Sequence, residues 1–185
     1  GVAKQAQINL AMAVAASSDG AVYISDAANS RIRRVSPDGL IQTVVGYGPA
    51  QDTYGAGFAG DGGPAEKAKI FSATDLKFDT AGALYISDSG NNRIRVIRAG
   101  VITTVAGSGR QGFSGDGGKA LEADLNTPQK IAVAKDGSLF IADRANRRVR
   151  KVDPRGAIIT IAGAGKTTGR GAGQGAGIMF DPVIR

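Results

Sequence analysis

Apolar and polar positions alternate along this chain in short bursts; they do not recur every three or four residues. In the middle of the chain, TDLKFD (74–79), ALYISD (83–88), RIRVIR (93–98) and VITTVA (101–106) are short runs rich in β-branched and apolar side chains. Between them lie Thr80-Ala81-Gly82, Ser89-Gly90-Asn91-Asn92 and Ala99-Gly100, residue types that favour tight turns. Strand-length runs joined by Gly and Asn turns predict a four-stranded antiparallel meander. No stretch keeps helical periodicity over three turns.

The meander occurs three times. AVYISDAANSRIRRV begins at Ala21, ALYISDSGNNRIRVI at Ala83 and SLFIADRANRRVRKV at Ser138. Asp26, Asp88 and Asp143 coincide, as do Asn29, Asn91 and Asn146, then Arg31, Arg93 and Arg148, then Arg33, Arg95 and Arg150. IQTVVG, ITTVAG and IITIAG follow and end at Gly46, Gly107 and Gly163. Self-similarity at this period, in units of four strands, predicts an all-β chain of β-propeller blades. The blades are expected at about 11–46, 73–107 and 128–163, with 164–185 forming a loop and the start of a fourth. Three blades are too few for a ring. The rest is expected from the same, longer polypeptide or from a second copy of the chain.

Composition narrows the chemistry. Hydrophobic residues make up 42%, aromatics only 5%, and Trp is absent, so Val, Ile, Leu and Ala must build the core. With no Cys, disulfides and thiolate metal sites are excluded. With no His, imidazole bases, His-ligated zinc and Ser-His-Asp triads cannot come from this chain. The net charge of +7 invites acidic partners, but the arginines are spread evenly and form no long basic run. No apolar run is long enough to span a membrane.

Leu84-Tyr85-Ile86-Ser87-Asp88 followed by Asn91-Asn92-Arg93-Ile94-Arg95 resembles the signature of NHL repeats. Thr104-Val105-Ala106-Gly107 and the loop Gly112-Phe113-Ser114-Gly115-Asp116-Gly117-Gly118 narrow the likeness to the long-loop variety of bacterial secreted proteins and teneurins. The resemblance implies a propeller, often six-bladed, of which this chain would be half. It implies a non-catalytic binding or scaffolding platform for a protein partner, in an extracellular or periplasmic setting. Some related propellers are lyases or lactonases and some bind RNA. The lyases depend on His, which this chain lacks. A metal-dependent lactonase needs acids converging from non-equivalent positions, whereas the acids noted here follow the repeat. RNA recognition wants exposed stacking platforms, and the few aromatics here read as core (Tyr23, Tyr85, Phe140) or loop anchors (Phe58, Phe113).

GFAGDGGPA (57–65) and GFSGDGGKA (112–120) each bring one carboxylate, Asp61 or Asp116. A phosphate cradle would need a following helix, and a calcium loop would need more closely spaced oxygens. A motif recurring once per blade is expected to solve a structural problem: glycines permit positive φ, and Asp caps backbone N–H groups. The third loop, GKTTGRGAGQGAG from Gly165, loses the acid and gains Lys166 and Arg170. Alternate connections of a meander lie at opposite ends, so one face gathers the candidate binding residues Asp61, Asp116, Asn29, Asn91, Asn146, Lys166 and Arg170. Asp26, Asp88 and Asp143 each precede an Arg by five residues, which predicts the structural pairs Asp26–Arg31, Asp88–Arg93 and Asp143–Arg148. Basic stripes are expected along the third strands, from Arg33, Arg34, Arg93, Arg95, Arg147, Arg150 and Lys151. No catalytic residue, metal site or cofactor is assigned.

Overall fold

A computed structural model describes residues 1–46 and 57–165. Among the described residues it contains three antiparallel sheets, each a four-stranded meander, the second extended by a short fifth strand. The first is β1 (Ala11–Ala16), β2 (Val22–Asp26), β3 (Arg31–Val35) and β4 (Ile41–Val45). After a two-residue strand β5 (Gly63–Pro64) comes the second: β6 (Ala73–Phe78), β7 (Leu84–Asp88), β8 (Arg93–Arg98) and β9 (Val101–Ala106). The third is β10 (Pro128–Val133), β11 (Leu139–Asp143), β12 (Arg148–Val152) and β13 (Ile158–Ala162). The sheets pack face to face as successive propeller blades, with the first strand β6 of the second adjacent to both β1 and β10.

The repeat explains each element. Asp79 caps its turn by accepting the backbone N–H groups of Ala81 and Ala83, and Asp153 does the same for Arg155 and Ala157. The fourth strand ends at a glycine for a steric reason. Gly107 has φ +97°, and a Cβ there would sit 2.3 Å from the Asn92 carbonyl; Gly46 and Gly163 meet the same obstacle.

Two apolar layers hold the blades together. Between the first and second lie Ile32, Val45, Ile70, Leu76, Leu84, Ile86 and Ile102. Between the second and third lie Ile94, Val96, Leu125, Ile131, Ile141 and Ile158, with Tyr85 among them. Each such side chain contributes on the order of 1.5–3 kcal/mol when fully buried. Hydroxyls add a stitch: Ser25 Oγ donates to the Ala73 carbonyl at 2.5 Å and Ser87 Oγ to that of Pro128 at 2.8 Å.

The glycine loops also protect sheet edges. Gly63 and Pro64 pair with Ile102 and Val101 on β9, the outermost strand of the second blade. Lys119 bridges to Ala157 beside β13, and Val2 to Leu40 beside β4. The linker entering each blade thus covers that blade's outer edge, which would otherwise offer unpaired backbone groups to another chain.

Candidate functional site

The loop-bearing end of the blades is built from the residues that repeat. In the second blade the Asp88 carboxylate accepts the Phe71 N–H at 2.8 Å and the Asn91 amide at 2.9 Å. Asn91 also donates to the Gly57 carbonyl at 2.8 Å, tying the turn to the glycine loop. The third blade repeats this with Asp143, Asn126, Asn146 and Gly112, at 2.8, 2.7 and 2.6 Å. In the first, Asp26 accepts from the Asn9 N–H and from Asn29, both at 2.8 Å. The three asparagines are therefore occupied as framework.

The aspartate–arginine pairing falls one alternation further along than expected. Asp26, Asp88 and Asp143 lie cross-strand from Arg31, Arg93 and Arg148. Their ion pairs go instead to Arg33 at 3.5 Å, Arg95 at 3.9 Å and Arg150 at 3.5 Å. Arg93 turns outward, donating to the Ser108 carbonyl at 2.6 Å and lying 3.7 Å over the Phe58 ring. Arg148 does likewise with Ala164 and Phe113. The cause is supply: a guanidinium carries five donors, and the carbonyls that can take them come from the linker. Nor do the third-strand arginines form a surface stripe, since Arg95 and Arg150 are fully buried.

The GDGG loops supply the missing partner. Asp61 accepts Arg95 Nε and Nη2 at 3.0 and 2.6 Å and the Thr104 N–H at 3.0 Å. Arg95 also donates to the carbonyls of Lys69 and Ala59. Asp116 accepts Arg150 Nη2 at 2.8 Å, and Ser114 adds its carbonyl. The surrounding glycines are required: at Gly60 and Gly115, both with positive φ, a Cβ would lie 2.8 and 2.7 Å from the Cα of Ala68 and Ala123.

Electrostatics follow burial. Desolvation pushes the Asp88 carboxyl up to about 6, against the Asn91 amide, the Phe71 N–H and Arg95, which favour the ionised form. Asp143 is raised for the same reason. Exposed Asp19 is lowered to about 2 by the Ser17 hydroxyl, the Ala21 N–H and Arg34.

One acid breaks the repeat and was not singled out from the sequence. Asp75 is buried on the first strand of the second blade, accepts the Ile131 N–H at 3.0 Å, and has Lys77 and Lys130 at 3.5 and 3.6 Å. Its counterparts are Ala13 and Lys130; comparing the three first strands position by position would have exposed it. Lys166 and Arg170 lie outside the described residues. Among the described residues, no group of three or more acids could hold a metal ion, and no helix is long and apolar enough to cross a membrane.

The face also carries apolar groups. Phe58, Phe71 and Phe113 are 39, 42 and 41% exposed beside the glycine loops and the turns they meet. Phe71 packs on Gly90, where a Cβ would come within 2.4 Å of the ring.

Comparison with known proteins fits this geometry. Residues 102–174 match the family described as the teneurin NHL domain. Human teneurin-4 is 31% identical over 171 residues, and mouse teneurin-3 is 32% identical. Each match covers 85% of this chain and 6% of the teneurin; the chain spans a small part of the relatives it matches. Virginiamycin B lyase from Staphylococcus aureus superimposes with a TM-score of 0.55 at 15% identity, over 83% of this chain and 41% of the lyase. A gluconolactonase from Xanthomonas campestris gives 0.58 at 16% identity, over 84% and 48%. At these identities the two enzymes share the fold alone.

Proposed function

The chain is a run of NHL repeats of the long-loop variety, folded as β-propeller blades, and from that premise we propose that it is a non-catalytic binding and scaffolding module. It engages a protein partner through its loop-bearing face, in an extracellular or periplasmic setting. One observation carries this reading: three partly exposed phenylalanines stand on that face over a hydrogen-bonded frame. Partly apolar anchors held by rigid loops and rimmed by polar groups are what a protein interface needs. The same frame consumes the groups a catalyst would use. Asp61 and Asp116 neutralise buried arginines, and Asp88 and Asp143 close turns.

Panning secreted and cell-surface ectodomains against the protein tests the proposal. Phe71→Ser is expected to weaken a recovered partner at least about tenfold, a loss of about 1.4 kcal/mol, with little change in melting temperature. Val101→Ser, at an exposed position on the outer strand β9, is expected to leave it intact. Binding lost with Val101→Ser and kept with Phe71→Ser would contradict the proposal, as would turnover of a lactone or of a cyclic depsipeptide.

A further inference from the structure

The turn between the second and third strands differs in one blade. It reads DAANSR in the first, DSGNNR in the second and DRANRR in the third. Arg144 therefore stands where Ala27 and Ser89 are buried, and Arg147 where Ser30 and Asn92 are half-buried. Both arginines are exposed, and among the described residues neither side chain has a hydrogen bond or ion pair. Other arginines around this end, Arg93, Arg110, Arg148 and Arg150, are each engaged by a carbonyl or carboxylate.

Two further observations mark the pair. Arg147 has φ +53°, as Ser30 and Asn92 have +51° and +53°. That left-handed conformation suits Asn, whose short side chain can bond locally, far better than Arg. The backbone beneath is fixed, with Arg147 N–H donating to the Arg144 carbonyl at 2.9 Å and Ala145 N–H to Asn126 at 3.1 Å. Arg144, Ala145 and Arg147 line an open hollow of about 380 Å³. Thus two cations with no structural task share a rigid four-residue turn, one at a position that disfavours it. Phe113 is close by, since Asn146 holds the carbonyl of neighbouring Gly112.

We propose that Arg144 and Arg147 form the anion-recognition point of the binding face, taking a carboxylate-bearing, acidic segment of a protein partner while Phe113 takes an apolar side chain beside it. The proposal rests on the binding-module reading and names the chemistry of the partner. Arginine forks match carboxylates. Two free cations on one turn suit one or two such groups. A nucleic acid or sulfated glycan would want a basic track several charges long.

The test uses a fluorescent dodecapeptide of Asp and Glu flanking one Phe, titrated into the protein in low salt. Arg144→Ala/Arg147→Ala is expected to weaken binding about tenfold or more. Arg147→Asn, which restores the residue of the second blade, is expected to weaken it while raising the melting temperature. Lys4→Ala/Lys135→Ala, elsewhere on the surface, is expected to change little. No binding by the unsubstituted protein, or equal affinity in the arginine variants, would overturn the proposal. So would tighter binding of a heparin fragment or of RNA that the same arginines govern. If the arginine variants bind a panned ectodomain unchanged while Phe71→Ser does not, the arginine assignment falls and the module reading stands.

Discussion

Arg33 and Arg95 hold the same position in consecutive blades, yet their surroundings differ. Arg33 keeps 15% of its side chain exposed, pairs with Asp26 at 3.5 Å, and leaves its Nε without a partner among the described residues. Arg95 is wholly buried, donating two bonds to Asp61 and others to two linker carbonyls, with Asp88 behind it. Arg150 is also wholly buried and pairs with Asp116 at 2.8 Å and Asp143 at 3.5 Å, but its Nε and Nη1 have no hydrogen-bond partner among the described residues. In the second and third blades the carboxylate of a GDGG loop joins the repeat aspartate on a fully buried guanidinium. Because that loop also carries a strand onto the outer edge of the blade it enters, one short sequence caps an edge and neutralises a charge.

Breaking the sealed site should cost most. Asp61→Ala leaves a buried cation without its main partner, and should lower stability by about 3 kcal/mol, the low end for broken buried pairs because Asp61 is one-third exposed. Denaturant unfolding reads this directly, and Asp116→Ala should behave alike. Gly115→Ala attacks the same loop through its backbone, where a Cβ meets Ala123 at φ +88°; about 2 kcal/mol is expected. Arg33→Gln, where the guanidinium is 15% exposed and pairs with Asp26 at 3.5 Å, should cost less than Arg95→Gln. If it costs as much as Arg95→Gln, the comparison is wrong.

The pH response sharpens the same contrast and is a balance of opposing contributions. Asp88 has its folded pKa raised to about 6, so its contribution is fully present below the ordinary value near 4 and is lost as pH rises through 6. Asp143 acts in the same direction. Asp19, lowered to about 2, contributes above 4 and loses that contribution as pH falls toward 2. Unfolding midpoints between pH 4 and 6.5 should therefore slope downward, and Asp88→Asn should flatten the slope. An unchanged slope would show that Asp88 does not titrate in that window.

Much of the fold was legible because the same pattern is written three times. The runs read at 74–79, 83–88, 93–98 and 101–106 fall within one residue of β6 to β9. Period-2 alternation and turn residues act over a few positions, so a sequence displays them. The site was less legible, because its contacts are long-range. Arg95 draws its hydrogen-bond partners from 26 to 36 residues away, and nothing local distinguishes it from Arg93. The repeat pointed instead to Arg93, directly across the strand from Asp88. Asp75 went unnoticed for the opposite reason: attention to what recurs hides what does not. The free arginines Arg144 and Arg147 share that character.

The central claim is that the GDGG carboxylate exists to neutralise a buried arginine, and a double-mutant cycle between Asp61 and Arg95 tests it most directly. Asp61→Ala, Arg95→Met and the double variant, compared by denaturant unfolding, should give a coupling of about 2 kcal/mol or more, with the double variant less damaged than the sum of the singles. A coupling below about 0.5 kcal/mol, the additivity of independent sites, would contradict it and leave the glycine loop's carboxylate free for a ligand.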